Sequence, residues 1–141
     1  MSVTQTELFD TAIQKANLWF KELEEELKWT DRHRAYLALR ATLQALRDRL
    51  TIEEAAHLGA QLPMIIRGFY YEGWRPDGKA LKKMSKADIL SRIRDSFRND
   101  PDIDPEQIAR AVFRLLSKKI SSGEIEDIKR IMPEDLRDLW P

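Results

Sequence analysis

Residues 30–50 read TDRHRAYLALRATLQALRDRL, and within them Tyr36, Leu39, Leu43, Leu46 and Leu50 alternate steps of three and four. A helix turns once every 3.6 residues or so, and this alternation sets all five on one face of an amphipathic helix. Thr30 precedes the stripe with a side-chain oxygen suited to the first free backbone N–H groups. A helix capped by Thr30 and running to about Leu50 is therefore predicted. Upstream, Phe9, Ile13, Ala16, Phe20, Leu23 and Leu27 keep the same spacing, which predicts a first helix over about Leu8 to Lys28 with one apolar face. Glu24, Glu25 and Glu26 fall near its C-terminal end, an unfavourable place for acid beside the helix dipole, so they are expected to be solvated or paired with nearby bases. Downstream, Thr51 and Glu54 have capping-box spacing and start a third helix with Ile52, Ala55, Leu58 and Leu62. Pro63 then breaks that helix or opens another.

A shift of 70 residues, without a gap, lays the second half on the first. Leu43 meets Phe113, Leu46 meets Leu116, Leu50 meets Ile120, Leu58 meets Ile128, Leu62 meets Met132 and Ile66 meets Leu136. Pro63 falls on Pro133, and the capping pair Thr51 and Glu54 falls on Ser121 and Glu124. Phe20, Leu23 and Leu27 meet Leu90, Ile93 and Phe97, so each helix has a counterpart. Start signals, apolar stripe and breaker all hold register, which argues for a tandem repeat. The second copy is predicted as a helix over about Lys86 to Arg98, a turn over Asn99 to Asp104, a helix from Pro105 with Asp104 as its cap, and another from Gly123. Pro76-Asp-Gly is turn chemistry at the junction.

The expectation is thus an all-α fold, a compact orthogonal bundle of six to eight helices built from two three-helix repeats of about 70 residues. Repeat one covers about 1–70 and repeat two about 71–141. A unit of that size is marginal by itself, so both copies are expected to share one core and form a single domain.

Composition bounds the function. Of 141 residues, 34% are charged, with 24 basic and 24 acidic side chains, so no global field selects a polyanionic partner. Cysteine is absent, which removes disulfides, thiolate metal sites and thiol nucleophiles. Met1 to Glu7 shows no basic-then-apolar leader, and no run is long and apolar enough to span a bilayer. A cytoplasmic protein without membrane insertion is expected.

The segments Arg34-Ala-Tyr-Leu-Ala-Leu-Arg-Ala, Leu50-Thr-Ile-Glu-Glu-Ala, Gln61-Leu-Pro and Gly68-Phe-Tyr-Tyr-Glu-Gly-Trp74 together resemble the bacterial domain-of-unknown-function family numbered 2267, over nearly the whole chain. The Leu-Pro followed by the aromatic Glu-Gly-Trp carries most of the resemblance. The second half departs from it, with Met132-Pro133 followed by Leu136, Leu139 and Trp140 but no Glu-Gly-Trp. The resemblance implies a small helical bacterial protein and supplies no activity and no catalytic residues.

The chemistry-bearing residues give few signals. His33 and His57 lie 24 residues apart, outside any His-Glu-x-x-His spacing, while a zinc site needs three or four ligands. No metal and no cofactor is expected, and His33 is read as an exposed or cap-region side chain between Arg32 and Arg34. Acidic residues are placed on solvent faces or in turns, and Asp100, Asp102, Asp104 and Glu106 are read as helix-capping rather than calcium-binding because the loop glycine and distant glutamate are missing. No phosphate loop or serine elbow is present.

Gly68 to Lys86 is the most unusual stretch. Phe69, Tyr70, Tyr71 and Trp74 are followed by a basic region, and Arg75 to Arg98 carries a net charge of +5. Phe69 and Tyr70 align with Leu139 and Trp140 and are read as core wedges. Tyr71, Trp74, Arg75, Lys79, Lys82, Lys83 and Lys86 remain as a candidate binding surface. Aromatic platforms beside a basic groove suit single-stranded nucleic acid, whereas the apolar chain after Leu62 argues against a DNA-reading helix. Arg40 with Arg110 and Arg67 with Arg137 are basic pairs kept by the repeat. They form a candidate anion cleft, against the plainer reading in which each pairs with a local acid such as Glu72 or Asp138. The leading expectation is a non-catalytic binding or scaffolding module using Gly68 to Lys86, with a protein partner or a homodimer. A weakly basic single-stranded nucleic-acid binder stands second, with nucleic acid disfavoured as partner. An enzyme or small-ligand protein with a cleft between the repeats stands third.

Overall fold

The computed structural model describes residues 5–76 and 84–141. They form helices α1 (Gln5–Leu27), α2 (Arg32–Arg49), α3 (Ile52–Ala60), α4 (Met64–Tyr71), α5 (Lys86–Asp95), α6 (Pro105–Lys119), α7 (Ser122–Arg130) and α8 (Glu134–Arg137), and among the described residues there is no strand. The all-α expectation is met. The starts follow local chemistry. Thr51 Oγ1 accepts from Glu54 N at 3.1 Å, Ser121 Oγ from Glu124 N at 3.2 Å, and Asp104 Oδ1 from Glu106 N and Gln107 N at 3.1 and 3.2 Å ahead of Pro105. Ser85 and Asp88 make a complete capping box that starts α5.

Three boundaries differ from the sequence reading. α2 is capped by Asp31, whose carboxylate accepts Arg34 N at 3.1 Å, rather than by Thr30; a carboxylate also suits the positive end of the helix. α7 begins at Ser122 because Ser121 takes the cap. α5 stops at Asp95, since Ser96 and Phe97 turn back on the Ile93 and Arg94 carbonyls.

α1, α2, α5 and α6 pack around one centre, through the pairs α1·α2, α2·α5, α5·α6 and α6·α1 with α2·α6 across the middle. α3 and α4 flank one side, and α3 meets α7. Buried side chains from both halves form one continuous cluster, from Leu23, Leu39, Leu43 and Leu46 to Ile93, Ile108, Phe113 and Leu116. A shift of 70 carries α3, residues 52–60, onto α7, residues 122–130, while α5 and α8 are shorter than α1 and α4. Phe113 stacks on Trp140 with ring centroids 4.2 Å apart, and Phe20 on Phe69 at 6.3 Å.

The acidic end of α1 is paired, as expected, and most of its partners lie in the other half of the chain. Glu26 meets Arg114 at 2.8 Å and Lys118 at 2.7 Å, Glu22 meets Lys119, and Glu24 meets Arg32 at 2.7 Å. The two bases hold the Glu26 carboxyl below its usual range.

The first part of α1 corrects the sequence reading. Ala16, Phe20, Leu23 and Leu27 are buried, but Leu8, Phe9 and Ile13 are each about half exposed, at 52%, 56% and 49%. None of residues 7–15 is buried. The apolar face therefore continues for about two turns ahead of its first buried position, Ala16.

Candidate functional site

The aromatic segment emerges from α4 and folds back on α3. Tyr70 is fully buried and its hydroxyl donates to the Ala55 carbonyl at 2.7 Å, with burial pushing that phenol strongly up. Phe69 is buried as well, so both act as core wedges as read. Tyr71 and Trp74 are half-buried against the core, with ring centroids 5.3 Å apart, and the Tyr71 hydroxyl donates to Ala56 O at 3.4 Å. Arg75 is exposed. Lys86 is tied to Glu106 at 3.2 Å and to Asp138 at 3.5 Å. Lys79, Lys82 and Lys83 lie outside the described residues.

Arg47 anchors this end of the molecule. Its guanidinium is 4% exposed and donates to the Tyr70 and Glu72 carbonyls at 2.8 Å each, closing the last turn of α4. It also pairs with Asp48, which Arg92 of α5 reaches at 2.8 Å.

The four arginines of the anion-cleft reading have local partners in three cases. Arg40 meets Glu72 at 2.6 Å, a pairing that raises its pKa. Arg110 meets Asp138 at 2.8 Å and Glu106 at 3.0 Å; it lowers the Asp138 carboxyl from its usual range, and Lys86 together with Arg110 lowers that of Glu106. Arg67 donates to the Gly59, Ala60 and Leu62 carbonyls at the end of α3. Arg137 is exposed. Glu72 and Asp138 were the local acids named for the plainer reading.

A different group converges where α3 meets α7. Glu54, His57 and Glu124 each offer a ligand atom, all within 4.8 Å of one another. Glu54 and Glu124 are third residues of their helices and correspond at the 70-residue shift, so the shift places like beside like. Glu124 is only 6% exposed, contrary to the expectation that acids sit on solvent faces or in turns. Burial pushes its carboxyl up to about 8, and the facing Glu54 adds to the shift. Gln61 and Ser121 lock the same contact with two hydrogen bonds, of 2.9 and 3.1 Å.

The apolar arm of α1 borders a groove of about 390 Å³ whose walls include Leu8, Ala12, Pro63 and Met64. Met64 and Ile65 are 58% and 37% exposed.

The profile of the family described as an uncharacterized conserved protein (DUF2267) matches residues 16–139. The chain belongs to the DUF2267 family. A search of curated proteins found no match. The DUF2267 span begins at Ala16, the first buried residue from residue 7 onward, so the exposed stretch 7–15 lies outside it while Glu54, His57 and Glu124 lie inside. Among the described residues of this DUF2267 chain no helix is long and apolar enough to cross a membrane. The sequence reading missed the Glu54–His57–Glu124 group because ligand spacing was sought along one helix and the third ligand comes from another. The available signal was the shift itself, which pairs Glu54 with Glu124.

Proposed function

We propose that this chain is a non-catalytic association module, a duplicated helical body in one domain that pairs with a second copy of itself through the N-terminal arm of α1. The observation that carries this reading is the uncovered stripe. Phe9, Ile13, Ala16, Phe20, Leu23 and Leu27 alternate steps of four and three without interruption, and cover begins only at Ala16. That alternation is the seam of a left-handed helix pair, and such a seam is complementary to another copy of itself about a two-fold axis.

The exposed apolar surface continues from Leu8 of the arm across the groove to Met64, both more than half exposed. The Gly68 to Lys86 surface competes less well. Tyr71 and Trp74 already have intramolecular partners, and Lys86 and Arg92 are ion-paired, which also weakens a nucleic-acid reading.

Sedimentation equilibrium tests the proposal. The wild-type chain is expected to dimerise at concentrations up to about 100 μM. The double variant Phe9→Asp, Ile13→Asp is expected to stay monomeric with its helicity and core melting intact, since neither side chain is buried. A wild-type chain that remains monomeric throughout overturns the reading.

A further inference from the structure

We propose that Glu54, His57 and Glu124 form a binding site for a divalent transition-metal ion of the zinc class, held at the α3·α7 contact. Two observations converge on it. First, the donor set is two carboxylates and an imidazole, with one ligand atom from each inside a 4.8 Å circle. Nδ1 of His57 stands 3.8 Å from Oε1 of Glu54, too far for a hydrogen bond and close to the edge of roughly 3.3 Å that tetrahedral zinc sets between its ligands. Second, Oε1 of Glu54 and Oε2 of Glu124 are both buried and have no hydrogen-bond donor. Two carboxylates cannot donate to each other, and an orphaned buried acceptor is costly, so the pair needs either a shared proton or a cation between them.

The site selects its ion. The imidazole favours zinc and its first-row neighbours over calcium or magnesium, which take oxygen ligands. His57 is 54% exposed on its side chain, so the ion enters from solvent and keeps a position open to water, while Glu124 at 6% exposure closes the inner side. The ion bridges α3 and α7, one helix from each half.

Isothermal titration of the chelator-stripped chain with zinc chloride tests the assignment. One zinc per chain is expected. His57→Ala and Glu124→Gln should each weaken binding by tenfold or more. Glu124→Gln retains the fold, because its amide donates to the Glu54 oxygen that lacked a donor, so loss of zinc there is not loss of structure. Zinc should also move the His57 ring resonances in a nuclear magnetic resonance spectrum. Zinc binding that is absent, or that survives unchanged in both His57→Ala and Glu124→Gln, overturns the site. Calcium bound as tightly as zinc overturns the role of the imidazole.

Discussion

Replacing Gly59 by alanine decides whether the Tyr71 ring is a fixed strut or a free contact group. Gly59 is buried in α3, and a Cβ added there would collide with the Tyr71 hydroxyl, lying 2.5 Å from Cζ and 2.9 Å from Cε2 of that ring. The ring is held from three sides, by Tyr70 at 4.9 Å, by Trp74 at 5.3 Å and through its hydroxyl on Ala56 O. Alanine in a helix gains about 0.5–1 kcal/mol over glycine. Pushing a packed ring aside costs about 1–3 kcal/mol, so Gly59→Ala is expected to destabilise the wild-type chain by up to about 2 kcal/mol. With Tyr71→Ala already in place the collision is gone. The same glycine substitution should then stabilise by about 0.5–1 kcal/mol. The sign reversal, a coupling of about 1–3 kcal/mol, is read by urea unfolding of the four chains followed by far-ultraviolet circular dichroism. If Gly59→Ala stabilises equally in both backgrounds, Tyr71 is not packed on α3 and returns to the candidate binding surface.

Glu124 makes stability depend on pH. Its folded-state carboxyl titrates at about 8 against 4.5 for the ordinary group, so the folded chain holds that proton where the unfolded chain has lost it. In chelator, the contribution is complete below pH 4.5 and is lost as pH rises toward 8; thermal melting should fall across that window, and Glu124→Gln should remove the slope. Arg47→Ala strips the Tyr70 and Glu72 carbonyls of a buried donor and should cost about 3–5 kcal/mol in denaturant unfolding. Lys28 closes α1 at φ +58°, a conformation that glycine adopts freely, so Lys28→Gly is expected to raise stability by about 0.5–1 kcal/mol in the same assay.

Local signals were legible where the chemistry is local. The stripe from Tyr36 to Leu50 marked α2, and Thr51, Asp104 and Ser121 cap their helices through side-chain oxygens within a turn. Phe9 and Ile13 were misread because periodicity identifies an apolar face without saying whether another element covers it. Glu124 was placed with the solvent-facing acids for the same reason: its burial comes from α3, far away in sequence. Arg40 and Arg110 were legible as a related pair, and each answers to an acid at the end of a short helix, Glu72 after α4 and Asp138 after α8. The aromatic run divided where the shift divided it, with Phe69 and Tyr70 in the core and Tyr71 and Trp74 at its edge.

Pairing through the arm of α1 is tested most directly by amide hydrogen exchange over residues 7–15, followed as protein concentration is raised. An arm covered by a second copy gains protection with concentration, while residues 16–27, whose apolar face is buried within each chain, stay protected throughout. An arm that exchanges freely at every concentration, beside an unchanged core, contradicts the pairing.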